Sequence, residues 1–273
     1  MKRRFRARKL LPALILALLL AGCYGECAEP GPTAAATVPT TVPAETTAPE
    51  THPVSETTQP TEAAEPPSPW HSGIRPDGTF SEGTLFLGDS LTVGLVCNYL
   101  KPRELLGDAR YAAISGGTLA AFHEGPRLGD GTAVCAYSPE YKGLRLREVI
   151  EVEGEKTTAV YIMLGTNYSP YADDDTYIRI LSDLLESCPN ATVYLQQLPM
   201  DKSERVNSTS SNARVLRVYE HFASSGEERV LLLDTRTAID LCLAHDGIHV
   251  SEEGQEKWYQ YLVDYALEHG IPE

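Results

Sequence analysis

The chain has 273 residues, 23 Lys and Arg against 38 Asp and Glu, a formal charge of -15 and 42% hydrophobic residues, enough for a well-buried domain. A body this acidic argues against a nucleic-acid backbone as the main ligand, because no basic stripe remains to displace phosphate counterions. It argues equally against adsorption of the folded surface to anionic lipid.

The charge is unevenly placed. All six basic residues before Cys23 (Lys2, Arg3, Arg4, Arg6, Arg8 and Lys9) lie in the first nine positions, and residues 1–22 contain no acid. Leu10 to Ala21 is a twelve-residue apolar run broken only by Pro12, too short to span a bilayer as a helix and of the length of a secretory h-region. It ends in Leu20-Ala21-Gly22-Cys23, which resembles the lipobox of bacterial lipoproteins, where small residues admit the signal peptidase and the cysteine thiol is lipidated. The resemblance implies an exported protein held on the outer face of a bacterial cell membrane by acyl chains on Cys23. The plainer alternative is a signal peptide or uncleaved anchor that happens to contain a cysteine.

Residues 23–72 hold seven acids and no Lys or Arg, which leaves 17 basic against 31 acidic residues, a charge of -14, for residues 73–273. Ala28 to Pro69 carries ten prolines and ten threonines in 42 residues with almost no large apolar side chain, so it cannot bury a core. A semi-extended, polyproline-like tether is expected, reaching at most ~3.1 Å per residue. The division that follows is a leader over 1–22, a lipidated cysteine and tether over 23–72, and a folded head over 73–273.

In the head, short apolar runs alternate with helix-length amphipathic segments. Thr84–Leu87 reads as a buried strand with Ser90–Leu100 as the helix after it, and Tyr111–Ile114 as a second strand. Thr158–Leu164 is a third, followed by a helix over Asp173–Ser187 with Ile178, Leu181, Leu184 and Leu185 on one stripe. Thr192–Leu195 and Val230–Leu233 are the fourth and fifth strands, the former followed by a helix over Asn212–Ser224. Ser251–His269 closes the chain, with Ser251 and Gly254 at its start and Gly270 at its end. Apolar strands separated by helices predict a single flavodoxin-like α/β/α sandwich on a five-stranded, mostly parallel sheet. In such sheets ligands sit beyond the carboxyl ends of the strands.

Four polar, turn-forming blocks fall at that edge. Gly88-Asp89-Ser90-Leu91 follows the first strand, Ser115-Gly116-Gly117-Thr118 the second and Gly165-Thr166-Asn167 the third, while Asp246-Gly247-Ile248-His249 precedes the last helix. A serine at a strand-to-helix turn exposes its hydroxyl beside a helix N-terminus, where developing negative charge is favoured. A histidine three residues after an aspartate is oriented by that carboxylate while its other nitrogen faces the serine. Glycine at 116 lets a backbone N–H approach a substrate, and the Asn167 amide donates alongside it.

These blocks resemble the SGNH hydrolases, also called the GDSL esterase and lipase family, over roughly Thr84 to Leu267. The resemblance implies a triad of Ser90 as nucleophile, His249 as base and Asp246 as its orienter. It also implies an oxyanion hole built from the N–H of Ser90, the N–H of Gly116 and the side chain of Asn167. Departures are visible: Tyr168 stands where the family often has Asp, Ala112 and Ala113 where an upstream Asn is frequent, and Val250 where Pro is frequent. Asp89 falls outside the triad and reads as packing or loop bracing. Thr92 stands where a Gly-x-Ser-x-Gly elbow would have its second glycine, so the motif is not that of α/β-hydrolases.

Each residue taken singly has a plainer meaning. Ser90 reads as a helix cap, Asp246-Gly247 as a turn, Gly116-Gly117 as a loop and Asn167 as a turn residue tolerant of left-handed backbone. Together these meanings require four independent coincidences, which favours the enzyme. No histidine pair has metal-site spacing, and neither a metal nor a cofactor is expected. Cys97, Cys135, Cys188 and Cys242 show no CxxC spacing; apolar neighbours suggest small buried hydrophobes, although export permits disulfides.

The function expected is hydrolysis of an acyl ester through an acyl-enzyme at the cell surface. The substrate expected is an acylated small molecule or glycan carrying a short group such as O-acetyl, with Tyr168 and Tyr171 beside the third block as stacking surfaces. Two alternatives stay open: an O-acyltransferase using the same triad on cell-surface glycan, and an inactive esterase scaffold used as a binding module.

Overall fold

The computed structural model describes residues 70–167, 173–199, 208–239 and 242–270. The leader over 1–22, Cys23, the tether up to residue 69, and Tyr168 and Tyr171 lie outside the described residues.

The strands are β1 (Thr84–Gly88), β2 (Arg110–Ile114), β3 (Cys135–Tyr137), β4 (Ala159–Met163), β5 (Thr192–Gln196) and β6 (Val230–Leu233). They form one six-stranded sheet in the order β3-β2-β1-β4-β5-β6. All neighbours are parallel except the β2–β3 pair. The sheet therefore has six strands, not the five expected. The additional one is a three-residue edge strand, Cys-Ala-Tyr, too short to carry an alternating pattern. With β3 set aside, the order is the doubly wound 2-1-3-4-5 arrangement, whose direction of winding reverses at β1.

Side-chain alternation sorts the core into two faces. Leu85, Leu87, Val160, Ile162, Val193 and Leu195 point to one face. They meet α3 (Leu146–Glu153), α4 (Asp174–Ser187) and α5 (Ser208–Ser224) through Val149, Ile180, Leu184 and Val218. Phe86, Tyr161, Met163 and Tyr194 point to the other. They meet the helix that begins as α1 (Ser90–Val93), together with α6 (Thr235–Ile239) and α7 (Glu252–His269), through Leu95, Ile239, Trp258 and Leu262. A short turn of helix, α2 (Ala121–Glu124), lies between β2 and β3. The result is a three-layer α/β/α sandwich. No helix among the described residues is long and apolar enough to cross a membrane.

Three aromatic rings run across the second face. Phe86 stacks on Tyr161 at 5.3 Å between ring centres, and Tyr161 on Tyr194 at 4.6 Å. Their hydroxyls hold the first described residues, with Tyr161 donating to the Ser72 carbonyl at 2.7 Å and Tyr194 to that of His71 at 2.9 Å. The His71 N–H donates to Thr192 Oγ1, and Thr84 Oγ1 donates to the Gly73 carbonyl. Thr84 and Thr192 are the first residues of β1 and β5, so residues 71–73 lie at the amino ends of the strands. A second buried network joins β2 to α3: Glu153, with a fully buried side chain, meets Arg110 Nε at 2.6 Å and Lys156 Nζ at 3.0 Å.

Candidate active site

The carboxyl ends of β1 and β4 flank the point where the winding reverses, and the loops beyond them carry the first and third blocks. Gly88 ends β1 because nothing larger fits: a Cβ there would lie 1.9 Å from Thr92 Oγ1 and 2.6 Å from the Met163 carbonyl oxygen. Asp89 then caps the following helix, its Oδ1 accepting from the Leu91 N–H at 3.1 Å. This places Ser90 on the first helical residue, partly exposed at the sheet edge. The helix runs on from α1 through Gly94–Leu100 with wider turns, the N–H of Lys101 reaching back to the Val96 carbonyl.

Three blocks are tied directly to one another. Asp89 is wholly buried, and its Oδ2 accepts from the backbone N–H of Thr166 at 3.2 Å. Asn167 Nδ2 donates to the Gly117 carbonyl at 2.9 Å, which joins the third block to the second. This bond orients the Asn167 amide, a group with two N–H donors. Gly116 has a φ of 74°, with nothing within 4 Å of where a side chain would begin. It is glycine because of its left-handed backbone, not for want of space. On the far side, Ser211 Oγ of α5 donates to the Gly165 carbonyl at 3.0 Å.

The fourth block is a turn stitched to the start of α7. Leu243 and Val250 pair as an antiparallel bridge, and the Ser251 hydroxyl both donates to the Cys242 carbonyl and caps α7 through the Gly254 N–H. Within the turn, Asp246 Oδ1 accepts from the N–H groups of Ile248 and His249, each at 3.0 Å, while Oδ2 lies 2.6 Å from His249 Nδ1. Burial alone would raise the Asp246 carboxyl, but the His249 ring and the two backbone donors outweigh it and hold the group below its ordinary value. An ionised carboxylate only accepts, so His249 Nδ1 carries the proton and Nε2 keeps a lone pair.

His249 and Asp89 lie within electrostatic reach of each other, which brings the fourth block to the turn that carries Ser90. Among the described residues no hydrogen bond joins Ser90 to His249. Such bonds are often long without substrate and tighten when it binds. The other predicted features are apart from this cluster or inert. His245 is exposed. Cys97, Cys135, Cys188 and Cys242 are free thiols, the last two buried. No three His, Cys, Asp or Glu side chains among the described residues cluster as metal ligands do. What the sequence does not disclose is the reach of Asp89 to Thr166, 77 positions away; only its capping position before Ser90 is legible.

Residues 86–257 match a family described as the GDSL-like lipase/acylhydrolase family, a span that includes all four blocks. No curated protein matches the chain. Among solved structures, a family two carbohydrate esterase from Clostridium thermocellum in complex with cellohexaose is 19% identical, with 68% of this chain and 63% of that one covered, at a TM-score of 0.45. The chain thus spans less than two thirds of that esterase. A carbohydrate esterase family 3 structure from Talaromyces cellulolyticus is 16% identical, over 68% of this chain and 96% of that one, at a TM-score of 0.45. A lipase/acylhydrolase from Enterococcus faecalis is 19% identical, over 70% and 98%, also at 0.45.

Proposed function

The chain belongs to the GDSL-like lipase/acylhydrolase family and carries a carboxylic ester hydrolase domain; from that premise we propose that it is a serine esterase working through Ser90, His249 and Asp246. The observation that carries this reading is the 2.6 Å contact between His249 Nδ1 and an Asp246 carboxylate whose other oxygen is held by two backbone N–H groups. It sets the ring tautomer that leaves Nε2 free to accept a proton.

His249 Nε2 takes the Ser90 hydroxyl proton as Oγ attacks the ester carbonyl carbon. The carbonyl oxygen gains negative charge and is met by the N–H groups of Ser90 and Gly116 and the remaining N–H of Asn167. When the intermediate collapses, the ester C–O bond breaks, His249 returns the proton to the departing alkoxide, and the acyl group stays on Ser90. Water, deprotonated by the same nitrogen, then attacks the acyl-enzyme, releases the carboxylic acid and restores the serine. Asp246 stabilises the imidazolium in both halves without itself being protonated.

The substrate proposed is a short acyl ester, such as O-acetyl, on a carbohydrate or other neutral acceptor. The acidic head, at -14 over residues 73–273, favours neutral over anionic substrates, and Tyr168 and Tyr171 stand one and four positions after Asn167. The location proposed is the outer face of a bacterial membrane, through lipid on Cys23. Labelled fatty acid should enter the protein and be lost in Cys23→Ala, and equal labelling of both would remove the anchor. For the chemistry, p-nitrophenyl acetate, butyrate, octanoate and laurate should be hydrolysed with falling efficiency by the wild type and not by Ser90→Ala. Near-normal cleavage by Ser90→Ala rejects the assignment of the nucleophile.

A further inference from the structure

Asp89 is the one fully buried carboxylate among the groups that assemble the site, and the mechanism above gives it no task. Its two oxygens face different parts of the chain: one holds the N–H of Leu91, behind the nucleophile, and the other the N–H of Thr166, next to Asn167. The Thr166 hydroxyl faces the same carboxylate, buried and without a hydrogen bond of full geometry. The titratable groups that face it are His249 from the fourth block and the buried Tyr177 from α4. A carboxylate placed this way touches no substrate, yet it determines the distance between Ser90 and the oxyanion donor, and it presents negative charge to the ring that must become positive.

On this basis, and resting on the esterase reading, we infer that Asp89 is a positioning residue that must be ionised for activity: it clamps the nucleophile turn to the oxyanion loop and supplies His249 with a second counter-charge. The clamp is geometric first. Both acceptors are filled by backbone donors, one from its own turn and one 77 positions along the chain. A protonated carboxyl has one oxygen carrying hydrogen, and that oxygen is a much weaker acceptor for an N–H than a carboxylate oxygen. Losing one arm lets the third block and Asn167 drift from Ser90, and small misplacements of reacting groups are costly in rate. The second part is electrostatic. Attraction between Asp89 and His249 is mutual, so a charged Asp89 favours the imidazolium formed as Ser90 gives up its proton.

Burial raises the Asp89 carboxyl from 3.8 to about 6, with the Thr166 hydroxyl and the Leu91 and Thr166 N–H groups opposing that rise. The clamp therefore opens within mildly acidic conditions. An acid limb set by a single group loses activity with one proton. A limb that also requires ionised Asp89 falls with the square of proton concentration below both groups.

The test compares wild type, Asp89→Asn and Thr166→Val, using p-nitrophenyl acetate across the acid range and a fluorophosphonate probe for Ser90. Asp89→Asn should lower kcat on the order of 10 to 10²-fold with KM within about threefold, label more slowly, and show a one-proton acid limb. Thr166→Val removes a group that favours the ionised carboxylate, so its acid limb should move to higher pH. If Asp89→Asn does not fold, Thr166→Val carries the test. A kcat and acid limb unchanged in Asp89→Asn, or a limb unmoved in Thr166→Val, overturns the inference while probe labelling of the wild type leaves the esterase reading standing. A wild type that neither labels nor turns over overturns both.

Discussion

Replacing Asp246 separates two tasks that the carboxylate performs at once. Its Oδ2 orients the His249 ring at 2.6 Å, and its Oδ1 closes the turn through the N–H groups of Ile248 and His249. Asp246→Asn keeps an oxygen for the two backbone donors but turns an NH2 toward Nδ1. The ring then accepts at Nδ1 and carries its proton on Nε2, the atom that takes the Ser90 proton in the proposed mechanism. A wrong tautomer in a buried triad costs about 10⁴ in kcat. Here the side chains of Asp246 and His249 are 37% and 46% exposed, so water competes for the ring and the expected loss is nearer 10³, about 4 kcal/mol of barrier. Asp246→Ala loses the turn bonds and a charge-assisted bond worth about 1.5–3 kcal/mol, yet it leaves Nδ1 to water and either tautomer accessible. Its expected loss is about 10- to 200-fold. The alanine variant should thus be the better enzyme, although it is the worse structural substitute. Steady-state hydrolysis of p-nitrophenyl acetate near neutral pH, with thermal melts of both variants, decides it. If the asparagine variant keeps a third or more of wild-type kcat, orientation of the ring by Asp246 is refuted.

Other outcomes follow from the same geometry. Asn167→Ala removes a proposed oxyanion donor and should reduce kcat about 10² to 10³-fold with KM little changed; an effect confined to KM would count against that role. Because folding raises the Asp89 carboxyl from 3.8 to about 6, the folded state binds the extra proton. Its stability contribution is therefore present at low pH and lost as pH rises through that interval, about 3 kcal/mol in all. Denaturant melts of wild type and Asp89→Asn should accordingly diverge in the variant's favour between about pH 4 and about pH 7, and parallel curves would contradict the buried charge. Gly88→Ala forces a methyl group against Thr92 Oγ1 and the Met163 carbonyl and should destabilise the fold by about 1–3 kcal/mol, read as a lowered Tm. Arg110→Met strands the fully buried Glu153 and should cost about 3–5 kcal/mol; a change below about 1 kcal/mol would mean that Lys156 and the Thr157 hydroxyl satisfy that carboxylate without it.

The strands that build the central sheet were legible because each is a run of apolar residues buried on both faces, as with Leu85, Phe86 and Leu87. β3 was not: three residues paired only along one edge offer no periodicity to read. The helix α3 did carry a signal, with Leu146, Val149 and Ile150 on one face and Glu148 bonded to the Arg145 N–H at its start, but it is short and sits in a polar stretch. At the site, residue types within one turn were readable, as in Asp246 and His249 three positions apart. Contacts made by folding were not, because no local pattern links Asp89 to Thr166 or Arg110 to Glu153. The pairing of Asn167 with Gly117 belongs to the same class: it depends on two loops meeting across β1.

The place where the chain joins the sandwich has a practical side. Residues 71–73 rest on the first residues of β1 and β5, and Gly270, just beyond α7, packs against Ser72. Both ends of the described domain therefore meet at one pole, while Ser90 and Asn167 stand at the carboxyl ends of their strands, at the other. Ends so close together suit a circular permutant, with a short linker joining 270 to 70 and new termini opened in an exposed turn such as that at Gly226. They also suit immobilisation: a bead or carrier protein grafted at either end would sit behind the carboxyl-end loops, leaving the mouth of the site unobstructed.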